Sequence, residues 1–137
     1  MSFLLDTNVI SEARKRDPST ASMAWFEQVD GTRLFLSVLV IGEIRQGMER
    51  LKSRDPARAE QIEKWLETLK RDYRERVLPV TDEVAEEWGR LNAAGSLPVI
   101  DGLLAATASV HDLTLVTRNV VDFQGTGVRV LDPFAFV

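Results

Sequence analysis

The chain has no cysteine. Disulfide frameworks, thiolate nucleophiles, zinc fingers and iron–sulfur centres are therefore excluded together. It has one histidine, His111, so a mechanism built on a histidine pair is excluded by count. His111 falls at the C-terminal end of a predicted helix, where capping is its ordinary role. No lysine follows Lys70, and neither a glycine-rich P-loop nor a Gly-x-Ser-x-Gly nucleophile elbow is present. Apolar runs stay well below the roughly 20 residues a membrane span needs, and the first residues lack the basic-then-apolar layout of a signal peptide. A cytoplasmic protein without membrane association is expected.

An excess of positive charge is missing too. Lys and Arg number 17 against 21 Asp and Glu, for a formal net charge of −4 and a pI near 5.1. That is not the footprint of a protein that binds duplex DNA over its whole surface; a nucleic-acid substrate would need a local basic patch. Arg14-Lys15-Arg16 is one candidate, and the segment from Arg45 to Arg76, with ten basic and seven acidic residues, is another. Much of that charge is accounted for by helix-face pairs four residues apart, such as Glu60 with Lys64 and Glu67 with Arg71.

What is present is a series of short apolar runs alternating with helical patterns. Ser2 to Leu5 reads as a buried strand and Thr7 to Arg14 as a helix opened by polar capping residues, which puts Asp6 at a strand's carboxyl end. A turn at Asp17-Pro18-Ser19-Thr20 precedes a helix over 21–29. Leu34 to Ser37 is a second strand. It runs into a long helix whose residues Leu39, Val40, Ile41, Ile44, Met48 and Leu51 recur at three- and four-residue spacing. Asp55-Pro56 turns the chain into a helix over 57–73 with Ile62, Trp65, Leu66 and Leu69 on one stripe. These two helices are expected to form a hairpin projecting from the domain, with Trp65 suited to the core or to a protein partner.

Val77 to Val80 is a weak strand interrupted by Pro79, and Thr81 caps a helix that ends by Gly95. Ser96-Leu97-Pro98 opens a small-residue helix over 99–110 with Asp101 in its first turn. Leu113 to Thr117 is a third strand, followed by Arg118-Asn119 and then Asp122-Phe123, and Val128 to Leu131 is the last. Strands separated by helical crossovers predict a single α/β domain over residues 1–137: three layers, α/β/α, around a central, mostly parallel twisted sheet. Ligand sites in such sheets lie outside the carboxyl ends of the strands, where Asp6, Asn119 and Asp122 fall.

Taken singly, most of the acidic residues have a structural explanation. Asp6 or Thr7 can cap a helix, Asp101 is favoured by the helix dipole, and Asp122 suits a loop turn. Glu43 is different, because it lies in a second helical turn with Leu39 and Gly47 four residues to either side. An inward carboxylate there needs a partner. Gathered in one cleft, Asp6, Glu43, Asp101 and Asp122 would repel one another unless a cation neutralised them. Oxygen donors of this kind suit Mg²⁺ or Mn²⁺. Such a site activates water at a phosphodiester without a histidine, cysteine or lysine.

These residues resemble the PIN-domain ribonucleases, and among them the VapC-type toxins of bacterial toxin–antitoxin pairs. The resemblance rests on Leu5-Asp6-Thr7-Asn8, on Glu43 within Val40-Ile41-Gly42-Glu43-Ile44, on Asp101 within Ile100-Asp101-Gly102-Leu103-Leu104-Ala105-Ala106, and on Thr117-Arg118-Asn119 with Asp122-Phe123. It covers essentially the whole chain. It implies a PIN-like α/β/α domain, metal-dependent RNA cleavage leaving a 5′-phosphate and a 3′-hydroxyl, and homodimerisation. A cognate VapB-type antitoxin would wrap the toxin in a heterotetramer or larger assembly, and DNA would be contacted only through that antitoxin. By the same resemblance Asp6 and Asp101 are direct metal ligands, Glu43 completes or orients the shell, and Thr7 or Thr117 positions a carboxylate, with Asn8 among the supporting residues. Many family members carry an acid where Asn119 stands, so the fourth acidic role is open between that position and Asp122. Arg14, Arg45 and Arg118 are candidates for holding the RNA backbone.

Two other classes share the acidic cleft. A phosphoacceptor receiver domain, or a phosphatase with an aspartate nucleophile, has a similar sheet and magnesium site but uses a lysine late in the chain, which is missing here. A catalytically silent module would use the cleft to bind a basic peptide; the full set of Asp6, Glu43 and Asp101 speaks against it.

Overall fold

The computed structural model describes residues 1–95 and 97–137; Ser96, read above as part of a helix-opening turn, lies outside the described residues. The elements run β1 (Phe3–Leu5), α1 (Thr7–Ala13), α2 (Thr20–Gln28), β2 (Leu34–Ser37), α3 (Val38–Leu51), α4 (Pro56–Asp72), β3 (Val77–Leu78), α5 (Asp82–Leu91), α6 (Val99–Val110), β4 (Thr114–Val116) and β5 (Val130–Leu131). The strands form one sheet in the order β3-β2-β1-β4-β5, and every pairing is parallel. Every residue of β1 and β4 is buried, as expected of a parallel sheet covered on both faces. The α/β/α architecture with a parallel sheet is the one the sequence predicts.

This order creates the site. The chain builds one side of the sheet outward from β1 through β2 to β3, then crosses back to add β4 and β5 on the other side. The order reverses between β1 and β4, and it is outside the carboxyl ends at such a switch point that ligands bind in open α/β sheets. Leu5 is in register with Val116, so Asp6 and Thr117, the next residue of each strand, emerge side by side. The core beneath is apolar: Leu4, Leu5, Leu36, Leu104, Leu115 and Val116 are inaccessible to solvent. Trp25 of α2 meets the rings of Phe3 and Phe26 edge-on, with centroids 5.2 and 5.1 Å away. This geometry favours aromatic pairs, and it fixes α2 to the first strand.

The α3–α4 hairpin forms as expected and is anchored in the domain at its base. Leu66 and Leu69 of α4 and Ile44 of α3 belong to the central core, Met48 and Ala59 are buried as well, and the tip over 49–58 and the outer face of α4 are largely exposed. Two expectations change in detail. The helix capped by Thr81 stops at Leu91 rather than at Gly95, where a turn takes over: Gly95, at φ 71°, donates its N–H to Asn92 O at 2.9 Å. On α4, Lys64 pairs with Glu60 at 3.6 Å as expected, whereas Glu67 pairs with Lys70 at 3.9 Å instead of with Arg71. His111 is the C-cap of α6, its N–H bonded to Thr107 O.

Candidate active site

Asp6 combines two positions. It is the residue after β1 and the N-cap of α1, with extended backbone angles (φ −75°, ψ 159°). Its Oδ1 accepts the Thr7 N–H at 2.7 Å, the usual capping bond. Its Oδ2 accepts the Thr117 hydroxyl at 2.8 Å across the sheet, with the Asn8 amide at a long 3.5 Å. The residue is 6% exposed. Burial pushes its carboxyl above the usual range, against the opposing pull of the Thr117 hydroxyl and the Thr7 N–H. A buried carboxylate with incomplete compensation is neutralised either by a proton or by a cation.

The remaining groups are locked to it in sequence. Thr117 is fully buried; besides donating to Asp6, its Oγ1 accepts the Asn119 N–H at 3.1 Å and lies 3.5 Å from the Asn8 amide. Asn8 in turn accepts the Arg118 N–H at 3.1 Å. The start of α1 is thereby fastened to the loop after β4. On the other side, Thr7 donates its hydroxyl to Glu43 Oε1 at 2.6 Å. The inward-leaning glutamate of α3 thus has a partner, and Thr7 and Thr117 have separate tasks.

Asp101 lies in the first turn of α6, whose N-cap, Pro98, gives no side-chain cap bond. Its carboxyl is raised mainly by burial, and then by the charges of Asp6, Glu43 and Asp122. The charges of the other three acidic residues picked out in the sequence therefore reach Asp101 through space. Asp122, in a helical turn over 120–123, is exposed, and Asn119 is exposed at the N-cap of that turn. Among the described residues no three carboxylates stand close enough to cage a cation between them. Oxygen donors of this kind are compatible with a hard ion that takes one or two carboxylates directly and keeps several waters.

A family model described as the PIN domain matches residues 3–124. The chain belongs to the PIN domain family. It is 30% identical over 96% of its length, and 98% of the relative's, to Toxin FitB of Neisseria gonorrhoeae. It is 29% identical to the VapC ribonuclease Y4jK of Sinorhizobium fredii, covering 96% and 97% of the two chains. A solved structure of FitAB bound to an IR36 DNA fragment superposes with a TM-score of 0.88 at 28% identity, covering 98% of this chain and 97% of that one.

The three candidate arginines of this PIN domain occupy different surroundings. The Arg14 guanidinium lies over the Trp65 ring, 5.1 Å from its centroid, beside a cleft of about 270 Å³ that Thr7 and Glu43 also line. Arg118 stacks on Phe134 at 4.3 Å. Arg45 is engaged by Glu63 at 3.3 Å and Glu49 at 3.5 Å, so those carboxylates compete with any phosphate for it. Two features escape sequence reasoning. Gly102, next to Asp101, is pressed by the Trp88 indole: a Cβ there would sit 2.9 Å from Trp88 Cδ1 and Nε1. Glu12 of α1 is buried, accepting the Ser19 N–H at 2.8 Å and Lys15 at 2.8 Å. The glycine was visible beside Asp101, but its packing partner was not. Nothing in the spacing marks Glu12. No described helix is long and apolar enough to cross a membrane.

Proposed function

We propose that the chain is a Mg²⁺- or Mn²⁺-dependent endoribonuclease toxin. The observation that carries the reading is the buried Asp6 carboxylate, held by Thr117 and Thr7 at the end of the first strand, with the Asp101 carboxyl raised by burial and by the negative charges of Asp6, Glu43 and Asp122. Asp6 and Asp101 would hold the ion, with Glu43 and Asp122 beside it. The ion, when bound, neutralises these charges, lowers the pKa of coordinated water and offsets charge on a phosphate oxygen. Thr117 and the Thr7 N–H keep the Asp6 carboxylate turned into the crevice. Thr7 holds Glu43, and Asn8 ties both strand ends together. Arg14 and Arg118 supply positive charge at the rim for the RNA backbone.

The relatives support the biological half of the reading: one is named a toxin, one a ribonuclease, and the FitAB structure is bound to DNA. A homodimer neutralised by a small antitoxin, with DNA contacted through that antitoxin, follows in the bacterial cytoplasm. The test is cleavage of single-stranded RNA by nuclease-free preparations of Asp6→Asn and Asp101→Asn. Loss of activity in both is expected; undiminished cleavage by either sinks the assignment.

A further inference from the structure

The cleft between α1, α3 and α4 lies beside the acidic site and shares Thr7 and Glu43 with it. Its floor is apolar, from Ile44, Met48 and Ile62, and its rim is the Trp65 indole with the Arg14 guanidinium laid over it. Resting on the reading of the chain as a ribonuclease, we propose that this cleft receives one unpaired nucleobase of the RNA strand, next to the bond that is cut, with the base stacked on the Arg14–Trp65 pair.

Charge, size and position together select this occupant. Among the described residues Arg14 has no carboxylate within ion-pair distance, unlike Arg45, Lys52 and Arg90. Its charge is held only by the indole face, an arrangement that leaves it open to an anion. A nucleotide offers this cleft a neutral base, whose π-face suits the platform, and a backbone phosphate for the guanidinium. Unpaired RNA bases are commonly recognised by stacking on aromatic rings and guanidinium planes. At about 270 Å³ the cleft falls just below the roughly 300–1,000 Å³ of drug-sized ligand sites, which suits a single ring system. Because Thr7 follows Asp6 directly and lines the cleft, a strand with its phosphate at the carboxylates has a neighbouring base at the entrance.

The wall offers a clean way to close it. Gly47 of α3 lines the cleft, and a Cβ there would meet nothing within 4 Å. Gly47→Leu therefore fills the space without removing a side chain or straining the helix. The first measurement is tryptophan fluorescence of the whole protein titrated with a short single-stranded RNA in EDTA, where no cleavage is needed. Saturable quenching is expected, absent in Trp65→Phe, with apparent affinity lowered on the order of 10-fold or more in Gly47→Leu, as the loss of one stacked base predicts.

The second measurement is cleavage in Mg²⁺ of an RNA and of the same RNA with one abasic site scanned along it. An abasic position next to the cut raises KM for the wild type by the same factor as Trp65→Ala does, and the two changes together add nothing further. Quenching that depends on Trp65 with no cleavage would support the platform while telling against the nuclease reading. Cleavage with unchanged KM in Trp65→Ala and Gly47→Leu overturns the proposal. So does a Gly47→Leu protein that cleaves as the wild type but escapes its antitoxin, because the cleft would then belong to a peptide.

Discussion

Replacing Thr117 by valine removes one oxygen atom and preserves the shape of a fully buried side chain. The hydroxyl donates to Asp6 Oδ2 at 2.8 Å and accepts from Asn119 N–H at 3.1 Å. Asn119 is exposed, so water replaces the second bond and the first decides the outcome. A hydrogen bond to a charged group contributes about 1.5–3 kcal/mol, so Thr117→Val should lose about 2 kcal/mol. For a domain of this size that lowers Tm by roughly 6–10 °C. The pH dependence has a definite sign. The Thr117 hydroxyl pulls the Asp6 carboxyl down against burial, so its removal raises that carboxyl further. The destabilisation is full where Asp6 is ionised and shrinks as the pH falls through its folded-state value. Removing a group that orients a metal ligand typically costs about 10- to 100-fold in metal affinity. Thr117→Ser should recover most of both losses. The assays are thermal unfolding across pH and calorimetric titration with Mn²⁺. Unchanged stability and unchanged affinity in Thr117→Val would refute the view that this hydroxyl holds the central carboxylate.

Asp101→Asn should leave the metal-free protein as stable as wild type, or more so, at neutral pH. The wild-type carboxyl is raised in the fold, so its contribution worsens as pH rises above the ordinary carboxylate range, and the variant's advantage should vanish in acid; saturating Mg²⁺ should reverse the order by stabilising only the wild type, all read as Tm. Gly102→Ala should destabilise by up to about 2 kcal/mol, because overpacking against Trp88 costs about 1–3 kcal/mol against the roughly 1 kcal/mol that alanine ordinarily gains in a helix; chemical denaturation followed by tryptophan emission reports it. Arg76 donates to the carbonyls of Gly31, Leu34 and Asp72 at 2.9, 2.6 and 3.0 Å and lies over Tyr73. Arg76→Leu should therefore lower stability by about 2 kcal/mol and leave RNA cleavage per folded molecule unchanged.

The layout of the sheet was legible because each strand is a short apolar run bounded by a polar residue or a turn, and each crossover carries a helical period. α6 was read to the residue, since Pro98 fixes its start and His111 its end. Glu43 stood out because an acid on an apolar helix face needs a reason, and Thr7 proved to be its partner. What could not be read was pairing between distant segments. Sequence suggests Thr7 and Thr117 as alternatives for one task, and only the side-by-side register of β1 and β4 gives them two. The anchoring of the hairpin by Leu66 and Leu69 depends on how α4 lies on the sheet, which an amphipathic stripe alone does not specify. Arg14 and Trp65 are fifty-one residues apart in the chain, and nothing local predicts that one covers the other.

The central claim is that Asp6 and Asp101, from opposite halves of the chain, belong to one cation site. Mn²⁺ binding to the whole protein, followed by calorimetry in the wild type, in Asp6→Asn and in Asp101→Asn, tests it most directly. Either substitution should abolish the same binding step, and the double variant should lose nothing more. Two separable steps, or a wild-type isotherm retained after either substitution, would contradict it.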